Sequence, residues 1–268
     1  MVQFNIFPGG KRRLVNFSFD DGDPNDKRIT ELLNKYNLKG TFFLNGKNCI
    51  NLTSKDESRL RNMYLGHEIG CHGLNHKRLT YMTSQSIVSE IYEERKILEK
   101  VFGAPVLGFA YPCGSSNLLS KQIISDCGFK YARKAGSAGN ALAEDFFLWN
   151  PTCNLSGAEE WSERFISDID SEWAEPALSV RGHGHDLKST ADWIAFEGVL
   201  EKLSGNKDVW YATFIDIYHY LTAQKNLEYN VSEDYFYNPS AVDLWIEKEN
   251  SIIINIPSGK SVNIKELL

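Results

Sequence analysis

The sequence predicts an α/β fold: a seven-stranded parallel (β/α) barrel with a short C-terminal β appendage. Three observations carry this prediction. Seven strand-like runs recur at residues 14–19, 41–45, 67–70, 107–111, 129–133, 177–181 and 209–213. Helical patterns lie between most of them, and such alternation is the signature of a parallel sheet with right-handed crossovers, most simply a barrel. The stretch 227–268 departs from the alternation, with short β-like runs separated by YNPSA and PSGK. We therefore assign residues 1–226 to the barrel and 227–268 to a β-rich appendage packed on it.

The first run, LVNFSF, places Val15, Phe17 and Phe19 on one face and Leu14, Asn16 and Ser18 on the other. DPND follows, and Asp23, Asn25 and Asp26 offer helix-start chemistry. Ile29, Leu32, Leu33 and Tyr36 then recur at i, i+3, i+4, i+7, one face of a helix. Gly40 ends it, and TFFLN forms the second strand. The clearest later helix is 84–102, where Ile87, Ile91, Arg95, Leu98 and Phe102 share a side. Ser84 is placed to cap its start, and Gly103 then Pro105 to end it. Residues 190–204 form another, with Trp193, Phe196, Val199, Leu200 and Leu203 apolar. Trp149, Trp193, Trp210 and Tyr211 are assigned to the core, because large aromatics usually pack.

Composition narrows the function. The chain has 268 residues and a hydrophobic fraction of 42%, enough for one large globular domain. Its net charge is −6 and no Lys/Arg cluster is dense enough for nucleic acid, which argues against a polyanionic partner and permits a neutral or cationic substrate. No apolar run approaches ~18 residues, so no membrane span is expected. Five cysteines (Cys49, Cys71, Cys113, Cys127, Cys153) without a Cys-x-x-Cys pair argue against a disulfide framework or a thiolate zinc site. Free thiols, and an N-terminus without the marks of a signal peptide, point to the cytoplasm; a removed leader would point to export instead.

Some motifs fail. His67-Glu68 begins a metalloprotease pattern, but the next histidine, His72, comes one position late. SGKS at 258–261 has Ile254 where a phosphate loop needs glycine. Two others hold. In CHGLNH, His72 and His76 are four apart, a spacing that on one helical turn lets both imidazoles hold a single zinc ion. In SFDDGDPND, two adjacent carboxylates, Asp20 and Asp21, end a strand before Gly22. One Asp-Gly pair suffices for a turn, so the stretch is either an ordinary acidic turn or two acids with different jobs. On the barrel, Asp20 and Asp21 end strand one and His72 and His76 follow strand three. Tyr111-Pro112-Cys113-Gly114 follows strand four, Arg133 ends strand five, and Gly182-His183-Gly184-His185 follows strand six. All lie at the carboxyl ends of parallel strands, where barrels build active sites. Regular alternation sends Asp20 inward and Asp21 outward. For both to serve one site the strand must bend or end at residue 20, with Gly22 supplying the freedom.

NFSFDDG, GTFFL, HEIGCHGLNH, GFAYPCG, GHGHD and WYAT together resemble the ordered motifs of the polysaccharide deacetylase family, also called the NodB-homology domain or carbohydrate esterase family four. The resemblance covers residues 14–223. It implies a distorted seven-stranded (β/α) barrel and a divalent metal, usually Zn2+. It also implies hydrolysis of acetyl groups, mostly N-acetyl, on a carbohydrate. By this resemblance Asp20 is the catalytic base, and Asp21, His72 and His76 are the metal ligands. The backbone N–H of Cys113 helps hold the oxyanion, and His183 is the general acid with His185 as the alternative. Tyr111 and Arg133 are candidate substrate-binding residues. Three positions depart from the family pattern: Ser18 for a frequent Thr, Lys77 for a frequent Pro, and Ala110 where many members carry an Arg that orients the base. Arg133 is a candidate replacement for that charge. Two other activities stay open on the same fold: hydrolysis of a small amide or cyclic imide, and carbohydrate binding without catalysis.

Overall fold

The computed structural model describes residues 2–137, 142–171, 174–248 and 252–266. The chain opens with a short strand, β1 (Val2–Gln3), and then the long central strand β2 (Arg13–Asp21). Next come α1 (Asp26–Lys35), β3 (Gly40–Leu44), α2 (Ser54–Met63), β4 (Glu68–Cys71), α3 (Ser84–Phe102) and β5 (Gly108–Ala110). They are followed by α4 (Leu118–Asp126), β6 (Tyr131–Arg133), β7 (Cys153–Asn154), α5 (Ala158–Ser167), β8 (Ala177–His183), α6 (Thr190–Leu203), β9 (Val209–Tyr211) and α7 (Phe214–Lys225). The last part holds β10 (Glu228–Tyr229), β11 (Tyr235–Tyr237), β12 (Leu244–Lys248), β13 (Ile252–Ile256) and β14 (Ser261–Asn263).

Each of the seven expected strands is present. They pair in parallel in the order β6-β5-β4-β3-β2-β8-β7, with β9 also on β2. β9 runs along Arg13–Val15 and β3 along Phe17–Asp21. β7 is an addition that the sequence pattern did not reveal, since two residues offer no alternation to read. Just before it, Trp149 bridges Arg133 of β6, while Cys153 and Asn154 pair with Val180 and Arg181 of β8. Residues 149–154 thus run from one edge of the curled sheet to the other.

The alternation in β2 separates two environments. Val15, Phe17 and Phe19 face the helices, where the Phe17 and Phe19 rings meet Phe196 of α6 edge-on. Asn16, Ser18 and Asp20 face inward and lie beside Ser179, Arg181 and His183 of β8. Further inside, Phe43, Tyr131, Trp149 and Phe214 fill the barrel with aromatic contacts. Full burial of side chains of this kind contributes roughly 1.5–3 kcal/mol each. The expected Trp149 and Trp193 are buried, whereas Trp210 and Tyr211 pack against the core only in part.

Helix ends follow ordinary capping chemistry. α3 is capped by Thr83 rather than the expected Ser84; the Thr83 hydroxyl accepts from the Ser86 N–H. Gly103 ends it in the left-handed conformation expected of a C-terminal glycine.

The C-terminal runs form two small antiparallel sheets, β10-β11-β14 and β1-β12-β13, the second of which also takes in the first strand of the chain. Tyr220 of α7 links them to the barrel: its hydroxyl donates to the Ile6 carbonyl at 2.8 Å and accepts from the Trp245 N–H at 3.1 Å. Among the described residues no helix is long and apolar enough to cross a membrane.

Candidate active site

The site lies where β2, β4, β5, β6 and β8 end. β2 stays paired with β3 through Asp21↔Leu44, so the ladder does not stop at residue 20. The bend falls one residue later than expected: Asp21 itself is left-handed, with φ of 77°, and Gly22 follows at 70°. This reversal brings Asp21 to the same side as Asp20. Asn45, just beyond β3, holds it there, its Nδ2 donating to Asp21 Oδ1 at 2.9 Å. Asn48 Nδ2 donates to the Asp21 carbonyl at 3.2 Å.

His72 and His76 are brought together by a tight turn, not by a turn of helix, with Gly73 at φ 83° and His76 at φ 55°. His72 is buried, and its Nδ1 lies 2.8 Å from the Ala110 carbonyl. That contact requires the proton on Nδ1 and leaves the Nε2 lone pair free. Burial, the largest influence, lowers the His72 pKa and favours the neutral ring that a metal needs. Asp21 Oδ1 stands 3.7 Å from His72 Nε2 and 3.6 Å from His76 Nε2. The three ligand atoms lie within 4.8 Å of one another. The two Asp–His spacings are too long for hydrogen bonds and close to the ~3.3 Å edge of a tetrahedron of ligands ~2 Å from zinc. One carboxylate and two imidazoles, one of them oriented by a backbone carbonyl, are a donor set that fits zinc.

Asp20 is buried, and Arg133 donates to its Oδ1. Burial disfavours the carboxylate, but Arg133, seconded by His72 and His183, outweighs it and holds the carboxyl below its ordinary value. Arg133 is wholly buried, with Nη1 on the Lys134 carbonyl and the guanidinium 5.0 Å from the Phe43 ring centre. It therefore orients the Asp20 carboxylate from inside the barrel wall. Tyr111 is also in the wall: its ring is buried and its hydroxyl donates to the Phe147 carbonyl at 3.0 Å. Cys113 is exposed at the rim, in a left-handed turn with φ of 56°.

His183 faces Asp20 from β8, with Nε2 3.9 Å from Asp20 Oδ2. Its other nitrogen, Nδ1, lies 3.1 Å from Asp186 Oδ2, which also accepts the His183 N–H at 2.9 Å. His185 stacks on it at 4.6 Å but turns toward Asp23 and is more exposed. Asn45 and Asp186 are the contributors that motif reading passed over; both stand at or just after strand ends, where the placement rule could have found them. Among the described residues six non-glycine residues have positive φ, and three of them, Asp21, His76 and Cys113, are here. Backbone strain concentrated this way is typical of functional sites.

A profile of the family described as polysaccharide deacetylase matches residues 8–132. Over that stretch the chain is similar to the polysaccharide deacetylase family. Among curated relatives, it is similar to a peptidoglycan-N-acetylglucosamine deacetylase of Bacillus cereus, 31% identical over 133 residues, or 46% of this chain and 54% of that protein. The chain spans between 17% and 54% of the length of the curated relatives it matches. Among solved structures, a polysaccharide deacetylase from Mycobacterium smegmatis superimposes with a TM-score of 0.63 at 19% identity, covering 82% of this chain and 93% of that one. Puue allantoinase superimposes with a TM-score of 0.64 at 16% identity, covering 79% and 91%. Both share the curled barrel with this chain.

Proposed function

We propose that this protein is a zinc-dependent hydrolase that removes N-acetyl groups from an acetylated carbohydrate. The observation that carries the reading is the convergence of Asp21, His72 and His76 beside Asp20, whose own partner is Arg133. These three residues would hold the cation. Bound there, zinc supplies an acidified water and polarises the acetyl carbonyl.

The remaining chemistry falls to the chain. Arg133 occupies Asp20 Oδ1, so Oδ2 is the oxygen free to accept a proton from the attacking water. His183 stands on the same side of the site, 3.9 Å from that oxygen. It delivers a proton from Nε2 to the departing amine, and Asp186 at Nδ1 fixes its tautomer and offsets the charge of the imidazolium. In this scheme the Cys113 backbone N–H shares the negative charge on the acetyl oxygen. His185, turned toward Asp23, is not the acid in this scheme. The charge that Ala110 does not supply comes from Arg133, which removes the one sequence feature favouring a non-catalytic relative.

The test is acetate release from N-acetylglucosamine oligomers by zinc-loaded protein, with and without a chelator, for wild type and Asp20→Asn. Release that is insensitive to chelation, or that survives in Asp20→Asn, would sink the proposal.

A further inference from the structure

Two acidic residues lie on the buried side of α3, where an apolar residue would be the ordinary choice. Glu90 and Glu94 are one turn apart, and both are buried. Among the described residues neither pairs with a cation within 4 Å, so each depends on hydrogen bonds to offset its desolvation. The N–H groups that bond to them all come from two loops of the candidate site. Glu94 Oε1 accepts the Gly46 N–H at 3.2 Å and shares the His72 N–H, at 3.0 Å, with the Leu44 carbonyl. Glu94 Oε2 accepts the Gly73 N–H at 2.7 Å. Glu90 Oε1 accepts the Asn75 N–H at 2.5 Å, and its Oε2 accepts Asn75 Nδ2 at 2.9 Å.

These contacts reach every residue of the triad. His72 is held directly. His76 is held through Gly73, whose carbonyl accepts the His76 N–H at 3.4 Å. Asp21 is held through Asn45, which orients its carboxylate and directly precedes Gly46. The glycines are required for this closeness: a Cβ at Gly46 would lie 3.0 Å from Glu94 Cγ, and Gly73 combines a φ of +83° with Pro112 Cγ at 3.0 Å.

We propose that Glu94, seconded by Glu90, is a positioning residue for the cation, its carboxyl group locking together the loops that carry Asp21, His72 and His76. The inference rests on the metal-site reading above. Groups that orient metal ligands typically set affinity by about 10–100-fold.

The experiment measures zinc affinity of stripped protein by competition with a chromophoric chelator, alongside the melting temperature without zinc. Glu94→Gln keeps the size but turns an N–H group toward backbone donors; its zinc Kd is expected to rise about 10-fold or more. Glu90→Gln is expected to shift it in the same direction by less. A purely structural role would lower the zinc-free melting temperature and leave the Kd of folded protein unchanged. An unchanged Kd in folded Glu94→Gln therefore overturns the inference. Should that variant not fold, an unchanged Kd in Glu90→Gln overturns it instead. Wild type that binds no zinc overturns the metal-site reading as well; wild type that binds zinc and releases acetate, beside variants that bind as tightly, overturns only this inference.

Discussion

Arg133 and Asp20 are joined across the barrel interior, although three strands separate β6 from β2 in the sheet. A flat sheet would hold them well beyond reach, since neighbouring strands are ~4.8 Å apart. Curvature creates the pair, and the pair in turn holds an ionised carboxylate inside a dry wall.

Removing either partner leaves an uncompensated buried charge. Arg133→Ala is expected to cost about 3–5 kcal/mol in chemical denaturation and to depress acetate release strongly. Adding Asp20→Asn to it should cost less than the sum of the two single changes, because the double variant no longer buries a lone ion. Arg133→Lys should recover part of the stability but not the fixed orientation of the base.

The adjacent carboxylates predict a specific response to metal. Asn tolerates the left-handed conformation of residue 21, so Asp21→Asn should fold. Without zinc it should melt at or above the wild-type temperature, because the repulsion between residues 20 and 21 is gone. With zinc the wild type should gain stability as RT ln(1 + [Zn]/Kd), and the variant should gain little. Thermal melts at several zinc concentrations decide this.

The two rim histidines should separate cleanly in steady-state kinetics. Loss of a general acid typically costs about 100-fold or more in kcat, and this is expected for His183→Ala with little change in KM. Asp186→Ala should lower kcat by a smaller factor through the same ring. His185→Ala should stay within about twofold of wild type; a large loss there would exchange the roles of the two histidines.

A pH effect on stability should arise far from the chemistry. Glu68, at the start of β4, accepts from Tyr131, Thr41 and the Ile215 N–H, and burial pushes its carboxyl up to about 7 from 4.5. A raised folded-state pKa means that the unfolded chain releases the proton first. The contribution is therefore complete below about pH 4.5 and is given up as pH rises to about 7, by about 2–3 kcal/mol. Denaturation midpoints should fall over that window in wild type and fall less in Glu68→Gln.

Much of this arrangement was legible in the chain because it is periodic. The two faces of β2 follow from simple alternation, and the placement of Asp20, His72 and His183 at strand ends follows from the barrel. Aperiodic features were not legible in the same way. The Asp-Gly pair announced a bend but not that Asp21 would carry it. The pairing of Arg133 with Asp20 needs the curl of the whole sheet, which no local pattern encodes. β7 is too short to have a pattern. Glu90 and Glu94 did leave a trace, as acids inside a stripe formed by Ile87, Ile91 and Leu98, but their partners are backbone groups, which sequence does not label.

The irregular segment 149–154 has a mechanical consequence. Elsewhere the wall is continuous ladder, but here it is a stitched join, held by Lys134 N–H to the Trp149 carbonyl at 2.7 Å and Thr152 N–H to the Ser179 carbonyl at 2.8 Å. A hoop yields first at its clasp. Arg133 sits on one side of that clasp and the strand carrying His183 on the other, so breathing of the wall would part Arg133 from Asp20, whereas His183, directly opposite Asp20 in the β2–β8 ladder, would stay with it. Amide exchange should show it: the protons of Lys134, Trp149 and Thr152 should exchange ahead of those in β2 and β3.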